Sequence, residues 1–204
     1  MKIRAYWGNI GWAFLLMVFL LAACSTTPAV KYYTLNSLNE MQQDAPEPVS
    51  GSNLAIGVGP VGFPKLLDRP QIVTRQSQNR VRVSEFHNWA SPLQRDFSRV
   101  LAKNISILLP TDRVAVHPWT DQFSPTYRIR LNVGQFDGQL GEHVILNVTW
   151  SVATQEGTNE AVVKNTAIKE PVSAKDYEAL VAAKSRALAA LSRAIVDEIK
   201  KLSE

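Results

Sequence analysis

The chain has 204 residues, with 22 Lys+Arg against 18 Asp+Glu, a formal net charge of +4 and one cysteine. That length supports one domain with a real core, and a single thiol excludes a disulfide framework within the chain. The excess charge is too small for a general polyanion binder.

Lys2 and Arg4 precede an uncharged run from Ala5 to Ala23, which closes on Leu21-Ala22-Ala23-Cys24. A positive start, an apolar middle and small residues at the cut are the three parts of a secretory signal. The last four residues resemble the lipobox of bacterial lipoproteins. That resemblance implies cleavage before Cys24, a diacylglycerol on its thiol and an acyl chain on its new amino group. An uncleaved transmembrane helix is the competing reading, since a span needs about 20 apolar residues. Against it, Gly8, Asn9 and Gly11 dilute the first half of the run, and the dense part from Ala13 to Ala23 is too short alone. Each buried CH₂ contributes about 0.8 kcal/mol and one myristoyl chain binds reversibly, so three chains on Cys24 make a lasting anchor. Ser25 stands where an Asp favours inner-membrane retention in enterobacterial lipoproteins. This points to the outer membrane of a Gram-negative bacterium, with the domain facing the periplasm, a compartment without nucleic acid partners. Removal of the leader takes away two basic residues and no acidic one, lowering the net charge from +4 to +2. The expected division is a signal peptide over 1–23, a lipidated tether over 24–30 and a single α+β domain over 31–204.

Ser25-Thr26-Thr27-Pro28-Ala29 is polar, and at about 3.3–3.6 Å per extended residue it reaches less than roughly 20 Å. Lys31-Tyr32-Tyr33-Thr34-Leu35 is rich in aromatic and β-branched residues and predicts a first strand. Asn36 to Asn53, with Pro46, Pro48 and Gly51, reads as a loop. Leu54 to Pro60 alternates apolar with small residues and predicts a short strand that stops at Pro60, its glycines allowing close backbone approach. Gln71–Arg75 and Val81–Val83 predict a hairpin joined through Ser77-Gln78-Asn79. Ser91-Pro92-Leu93-Gln94 predicts a helix start, with Ser91 as cap, Pro92 in the first turn and Gln94 completing a capping box. Leu93, Phe97, Val100, Leu101, Ile105 and Leu108 recur at helical steps, and Pro110 ends the run.

Arg113 to Val116 predicts a short strand. Tyr127, Ile129, Leu131 and Val133 alternate with polar residues, Phe136 has the opposite parity, and Gly134 predicts a bulge between them. Val144, Leu146, Val148, Trp150 and Val152 form the partner strand of an antiparallel hairpin. A further strand over Ala161–Ile168 follows the turn Glu156-Gly157-Thr158-Asn159. Ser173-Ala174-Lys175-Asp176 opens a last helix whose stripe runs through Tyr177, Leu180, Val181, Leu188, Leu191, Ile195, Ile199 and Leu202. Lys200 and Lys201 complement its dipole. Together these elements predict an α+β two-layer sandwich, a mainly antiparallel sheet with two helices packed on one face. Arg128, Arg130, Asn147 and Thr149 lie on the opposite sheet face, which is solvated or meets a partner.

His87, His117 and His143 lack metal-ligand spacing, no Gly-x-Ser-x-Gly elbow or phosphate loop occurs, and Gly57 to Gly62 imitates a dinucleotide fingerprint only until Pro60 interrupts it. No metal, cofactor or catalytic group is expected. One cluster stands out: Arg69, Arg75, Arg80 and Arg82, with Lys65, Arg95 and Arg99 nearby, against Asp68, Glu85 and Asp96. These arginines are candidate contacts for anionic head groups or a partner's acidic face. The alternative is a solvated hairpin with ordinary ion pairs. Phe86 and Trp89, beside the helix start, read as a packing staple.

Leu67-Asp68-Arg69-Pro70-Gln71-Ile72-Val73, Phe86-His87-Asn88-Trp89-Ala90-Ser91-Pro92-Leu93 and Tyr32-Tyr33-Thr34-Leu35 resemble the ABC-type transport auxiliary lipoproteins, the PqiC-like (YmbA-like) family. The likeness covers essentially the mature chain in order. Ser91 departs from the acidic residue that family members often carry there, and favours a local cap instead. The resemblance implies a non-enzymatic outer-membrane lipoprotein that works with an MCE-domain protein of an inner-membrane ABC-type complex in lipid transport between membranes. It also implies a homo-oligomer, a ring receiving the far end of the MCE partner. An assembly or pilot lipoprotein for another envelope complex shares the same anchor and small domain.

Overall fold

The alternating segments build two sheets, and the two long amphipathic segments build helices that pack together over one face of the larger sheet. The computed structural model describes residues 28–41, 51, 53–154 and 161–203. Its strands are β1 (Lys31–Tyr33), β2 (Ile56–Gly62), β3 (Gln71–Ser77), β4 (Arg80–Trp89), β5 (Val114–Val116), β6 (Tyr127–Gly138), β7 (His143–Thr154) and β8 (Val162–Pro171). Its helices are α1 (Leu38–Met41), α2 (Leu93–Leu108) and α3 (Tyr177–Ser203). The larger sheet has the order β5-β2-β6-β7-β8 and the smaller one β1-β4-β3. The leader, Cys24 and the Glu156–Asn159 turn lie outside the described residues.

The α+β class holds, and the long ladders β6/β7, β7/β8 and β3/β4 are antiparallel. The division into two sheets and the parallel pairings of β2 with β5 and β6, and of β1 with β4, go beyond the single sheet expected. Alternation tells which face a residue takes but not the direction or identity of a distant partner strand.

β6 and β7 carry the core face, with Ile129, Leu131, Val133, Leu146, Val148, Trp150 and Val152 all buried. Gly134 is the extra residue of a bulge: Val133 pairs with Val148, and the next pair is Gln135 with Asn147. The bulge turns Phe136 onto the core face, where it meets Phe97 edge-on at 5.4 Å and Phe63 at 6.4 Å between ring centroids. β2 does not stop at Pro60. It continues to Gly62 because the register against β6 shifts between Val58 and Val61. Pro60 has no partner in that register, so its missing N–H costs no ladder bond. Gly57 gives the close approach expected of it, since a Cβ there would meet the Trp119 ring at 2.8 Å.

Both helix starts differ in detail from the expectation. α2 begins at Leu93 after Pro92, with no side-chain cap, and the Gln94 side chain donates to the Val61 carbonyl instead of closing a capping box. A tertiary acceptor has displaced the local one. α3 begins at Tyr177, and its cap is Asp176, which accepts from the Ala179 N–H at 2.8 Å, rather than Ser173. Part of the presumed loop after Asn36 is the short α1, anchored by buried Leu35 and Leu38 and by Leu38 N–H donating to Asn104 Oδ1 at 2.8 Å. Residues 42–50 lie outside the described residues.

β1 is short, so side chains must hold it. Buried Asp96 accepts from the Leu35 N–H at 2.7 Å, from the Thr34 hydroxyl at 3.1 Å and from Arg99 at 2.7 Å. Replacing it orphans a buried amide. Asp96→Ala is therefore expected to cost about 1–3 kcal/mol, measured as a lower denaturant midpoint, with hydrogen exchange rising first at Leu35.

Candidate functional site

The hairpin β3–β4 and the loops that face it form a cationic concavity. β3 and β4 pair Thr74 with Arg82 and Arg75 with Val81, so alternate arginines leave the ribbon in different directions. Arg75 turns toward the larger sheet, where its Nε and Nη2 donate to the two carboxylate oxygens of Asp137 at 3.3 and 2.7 Å. Asp137 is 3% exposed and also accepts from Gln135 Nε2 at 2.7 Å. Burial alone would raise its carboxyl pKa. The hydrogen bonds from Arg75 and Gln135, with the charges of Arg75 and Lys184, outweigh burial and hold it below the usual range.

Arg80 and Arg82 remain exposed. With Arg75, Lys175, Tyr177 and Glu142 they line a groove of about 620 Å³ between the hairpin, the β6–β7 turn and the approach to α3. Among the described residues Arg80, Arg82 and Lys175 have no ion-pair partner, and Glu142 accepts from the Gln139 amide. Arg69 is not part of this groove. It follows the 3₁₀ turn Lys65–Leu67, and its buried Nε has no hydrogen-bond partner among the described residues. Of the four candidate arginines, three thus share one groove, and one of those three is committed to an internal carboxylate. Lys175 and Tyr177 were not predicted to join them, because no local pattern brings residue 175 to residue 82.

Tyr177 is the aromatic residue of the groove wall, and it is backed by His87. The His87 ring stacks on Tyr177 at 3.8 Å, and its Nδ1 is hydrogen-bonded to the Tyr33 hydroxyl at 2.7 Å. Burial, and after it the charge of Lys31, lowers the His87 pKa below its ordinary value, which favours the neutral ring. His87 therefore serves as packing and as a hydrogen-bond partner of a tyrosine. Trp89 is 4% exposed and belongs to the core, as a packing role requires, whereas Phe86 is half-buried and is not among the side chains packed against that core. No group of three or more His, Cys, Asp or Glu residues capable of holding a metal occurs among the described residues. No described helix is long and apolar enough to cross a membrane.

Lys184 is the residue that sequence reasoning passed over. It lies between Leu180 and Leu188 at four-residue steps, within the apolar stripe, and that spacing was the available signal. It is 1% exposed, and its ammonium donates to the Phe136 carbonyl and stands 4.3 Å from the Phe136 ring centroid. Desolvation lowers its pKa to about 7, opposed by nearby Asp137. A second groove, between α2 and β5, carries Arg95, Arg99 and Lys103 with Asp96 and Asp112, so its charges are mixed.

The family model described as "ABC-type transport auxiliary lipoprotein component" matches residues 33–196. Two proteins called intermembrane transport lipoprotein PqiC, from Escherichia coli K12 and Shigella flexneri, are each 26% identical over 192 residues, covering 94% of this chain and 98% of the relative. Among solved structures, an uncharacterized protein superposes with a TM-score of 0.68 at 20% identity, covering 84% of this chain and 99% of its own. Protein XCC0632 from Xanthomonas campestris does so with a TM-score of 0.60 at 15% identity, covering 81% and 92%. These two likenesses show the fold.

The buried lysine makes a pH prediction. Its folded pKa is about 7 and its ordinary value 10.5, so between those values the unfolded chain holds a proton that the folded chain lacks. Stability then rises with pH across that window, at up to about 1.4 kcal/mol per pH unit. Below the window both states are protonated and this term is flat. Lys184→Met is expected to flatten the rise, read from urea midpoints measured from pH 6 to pH 10.

Proposed function

The chain belongs to the ABC-type transport auxiliary lipoprotein components, and from that premise we propose that it is a non-enzymatic, lipid-anchored periplasmic subunit of an MCE-protein/ABC-type intermembrane lipid transport system. The observation that carries this reading is one sequence order: Leu21-Ala22-Ala23-Cys24, then the tether, then a domain matched from residue 33 to residue 196. The PqiC relatives, whose name states intermembrane transport, align over almost their whole length, which supports the same role here. In this role Cys24, acylated on sulfur and nitrogen, holds the domain on the periplasmic side of the outer membrane. The tether is short, so the MCE protein must reach the domain, and the subunit contributes to envelope integrity as a receiving component.

Self-association into a ring fits this role. Among the described residues the larger sheet ends on β5 and on the ten-residue β8, and Val163 on β8 is 60% exposed. Long unpaired edges with exposed apolar side chains are surfaces on which another chain can pair.

Three outcomes are expected. Cys24→Ala abolishes incorporation of labelled palmitate and releases the chain from sedimented outer membranes. Affinity capture of the tagged wild-type lipoprotein from detergent-solubilised membranes recovers an MCE-domain protein. Recovery of a secretin or secretion subunit alone would instead assign the chain to another envelope machine. Native mass spectrometry of the detergent-solubilised lipoprotein shows a homo-oligomer, and a clean monomer at micromolar concentration would count against the ring.

A further inference from the structure

β1 enters the small sheet parallel to β4, with Lys31 beside His87, Tyr32 beside Asn88 and Tyr33 beside Trp89. Parallel pairing fixes where the preceding chain comes from. It arrives from the end at which β4 begins, the end that carries Arg80 and Arg82, and not from the end at Trp89. Arg82 precedes His87 by five residues, at most about 17 Å along a strand. Cys24 precedes Lys31 by seven residues, about 23 Å when fully extended. The described chain therefore enters β1 from the side of the cationic hairpin, and the reach of the seven residues back to Cys24 is comparable to the distance along the ribbon to Arg82.

We propose that the hairpin face carrying Arg80 and Arg82, with Lys175 across the groove, rests on the anionic phospholipid headgroups of the leaflet that holds Cys24. This rests on the reading that Cys24 is acylated. The chemistry of the face fits a phosphate-rich surface. All three cations are exposed and have no internal ion pair among the described residues. Arg75 is neutralised by Asp137, and the acid on the groove wall, Glu142, is hydrogen-bonded by Gln139. Beside the tether, Val30 is 42% and Tyr32 67% exposed, and Lys31 is exposed. Tyrosine and lysine are residue types enriched at headgroup level. An acidic protein partner would also suit three cations. The tether decides for the bilayer, because it keeps this face beside lipid phosphate whether or not a partner is bound.

Tyr177 lines the groove, and α3 runs 27 residues from it, so Ser203 lies about 40 Å away along the helix. The sole native cysteine is Cys24, and once acylated it leaves an introduced thiol unique.

The test reconstitutes the full lipidated chain into phosphatidylcholine vesicles with or without phosphatidylglycerol, with a fluorophore on Gln78→Cys at the hairpin tip or on Ser203→Cys as the distal control. Headgroup spin-labelled lipid is the quencher. The expected result is strong quenching at position 78 and little at 203, greater with phosphatidylglycerol present. Arg80→Gln, Arg82→Gln and Lys175→Gln together should weaken the position-78 quenching, each cation near an anionic surface being worth about fivefold in the docked population. Equal quenching at the two positions would overturn the proposal, as would quenching at 78 indifferent to both phosphatidylglycerol and the triple variant. So would protection of the position-78 label that appears only when a protein partner is added. Flotation of the vesicles separates the two readings. A chain that floats with position 78 unquenched overturns the docked face alone, whereas a chain that does not float overturns the anchor and the docked face with it.

Discussion

A single buried carboxylate joins the two sheets. Asp137 sits near the end of β6 with Arg75 of β3 bidentate against it, Gln135 donating to it and the charge of Lys184 from α3 close by. Its placement depends on one residue inserted into the strand. In an unbroken β6, the parity of Tyr127, Ile129, Leu131 and Val133 would carry inward through Gln135 and Asp137, leaving Phe136 outside. The bulge at Gly134 reverses this. Phe136 joins the aromatic contacts with Phe63 and Phe97, and Asp137 turns to the side where the small sheet is attached. The apolar core and the polar joint are thus set by the same irregularity. Breaking such a joint by removing one partner costs more than the pair contributes, because the remaining buried charge is left uncompensated.

That constraint explains why Lys184 is tolerated inside. Its ammonium has a carbonyl acceptor on Phe136, an aromatic face at 4.3 Å and a carboxylate in the neighbourhood. Desolvation still dominates and lowers its pKa to about 7. A lysine at this depth is held by the residues around the Gly134 bulge, so its environment reports whether the two sheets are joined correctly.

Much of the fold was legible because burial repeats with a period. The β6–β7 pair, the hairpin of β3 and β4, both long helices and even the Gly134 bulge follow from which side chains alternate or recur. What was not legible depends on contacts between distant segments. The side chain of Gln94 had a good local partner in the helix start at Ser91, yet it bonds to Val61, which no local rule can foresee. Pro60 reads as a strand breaker and is instead absorbed where the register shifts. The arginines show the same limit. Arg75, Arg80 and Arg82 look alike in sequence, and only the approach of β6 makes the first an internal partner while the other two stay at the surface. Lys175, an unremarked residue of a helix start, becomes their neighbour through the folding of the chain.

If Cys24 is acylated as proposed, β1 carries the load of that anchor into the domain, and its bonds show where the load would go. Three residues of ladder are too few to hold a folded domain by themselves. β1 is instead fixed beyond its end by Ala90 N–H donating to the Tyr33 carbonyl, by Leu35 N–H on Asp96 of α2, by Asn36 N–H on Ser185 of α3 and by Leu38 N–H on Asn104 of α2. A load on β1 would therefore pass to both long helices, which Asn104 and Ser192 connect at 3.2 Å, rather than to the hairpin alone. In the proposed role, a component held on a membrane while a larger partner bears against it would use such a connection, which Asp96 and Asn104, two turns apart on α2, supply.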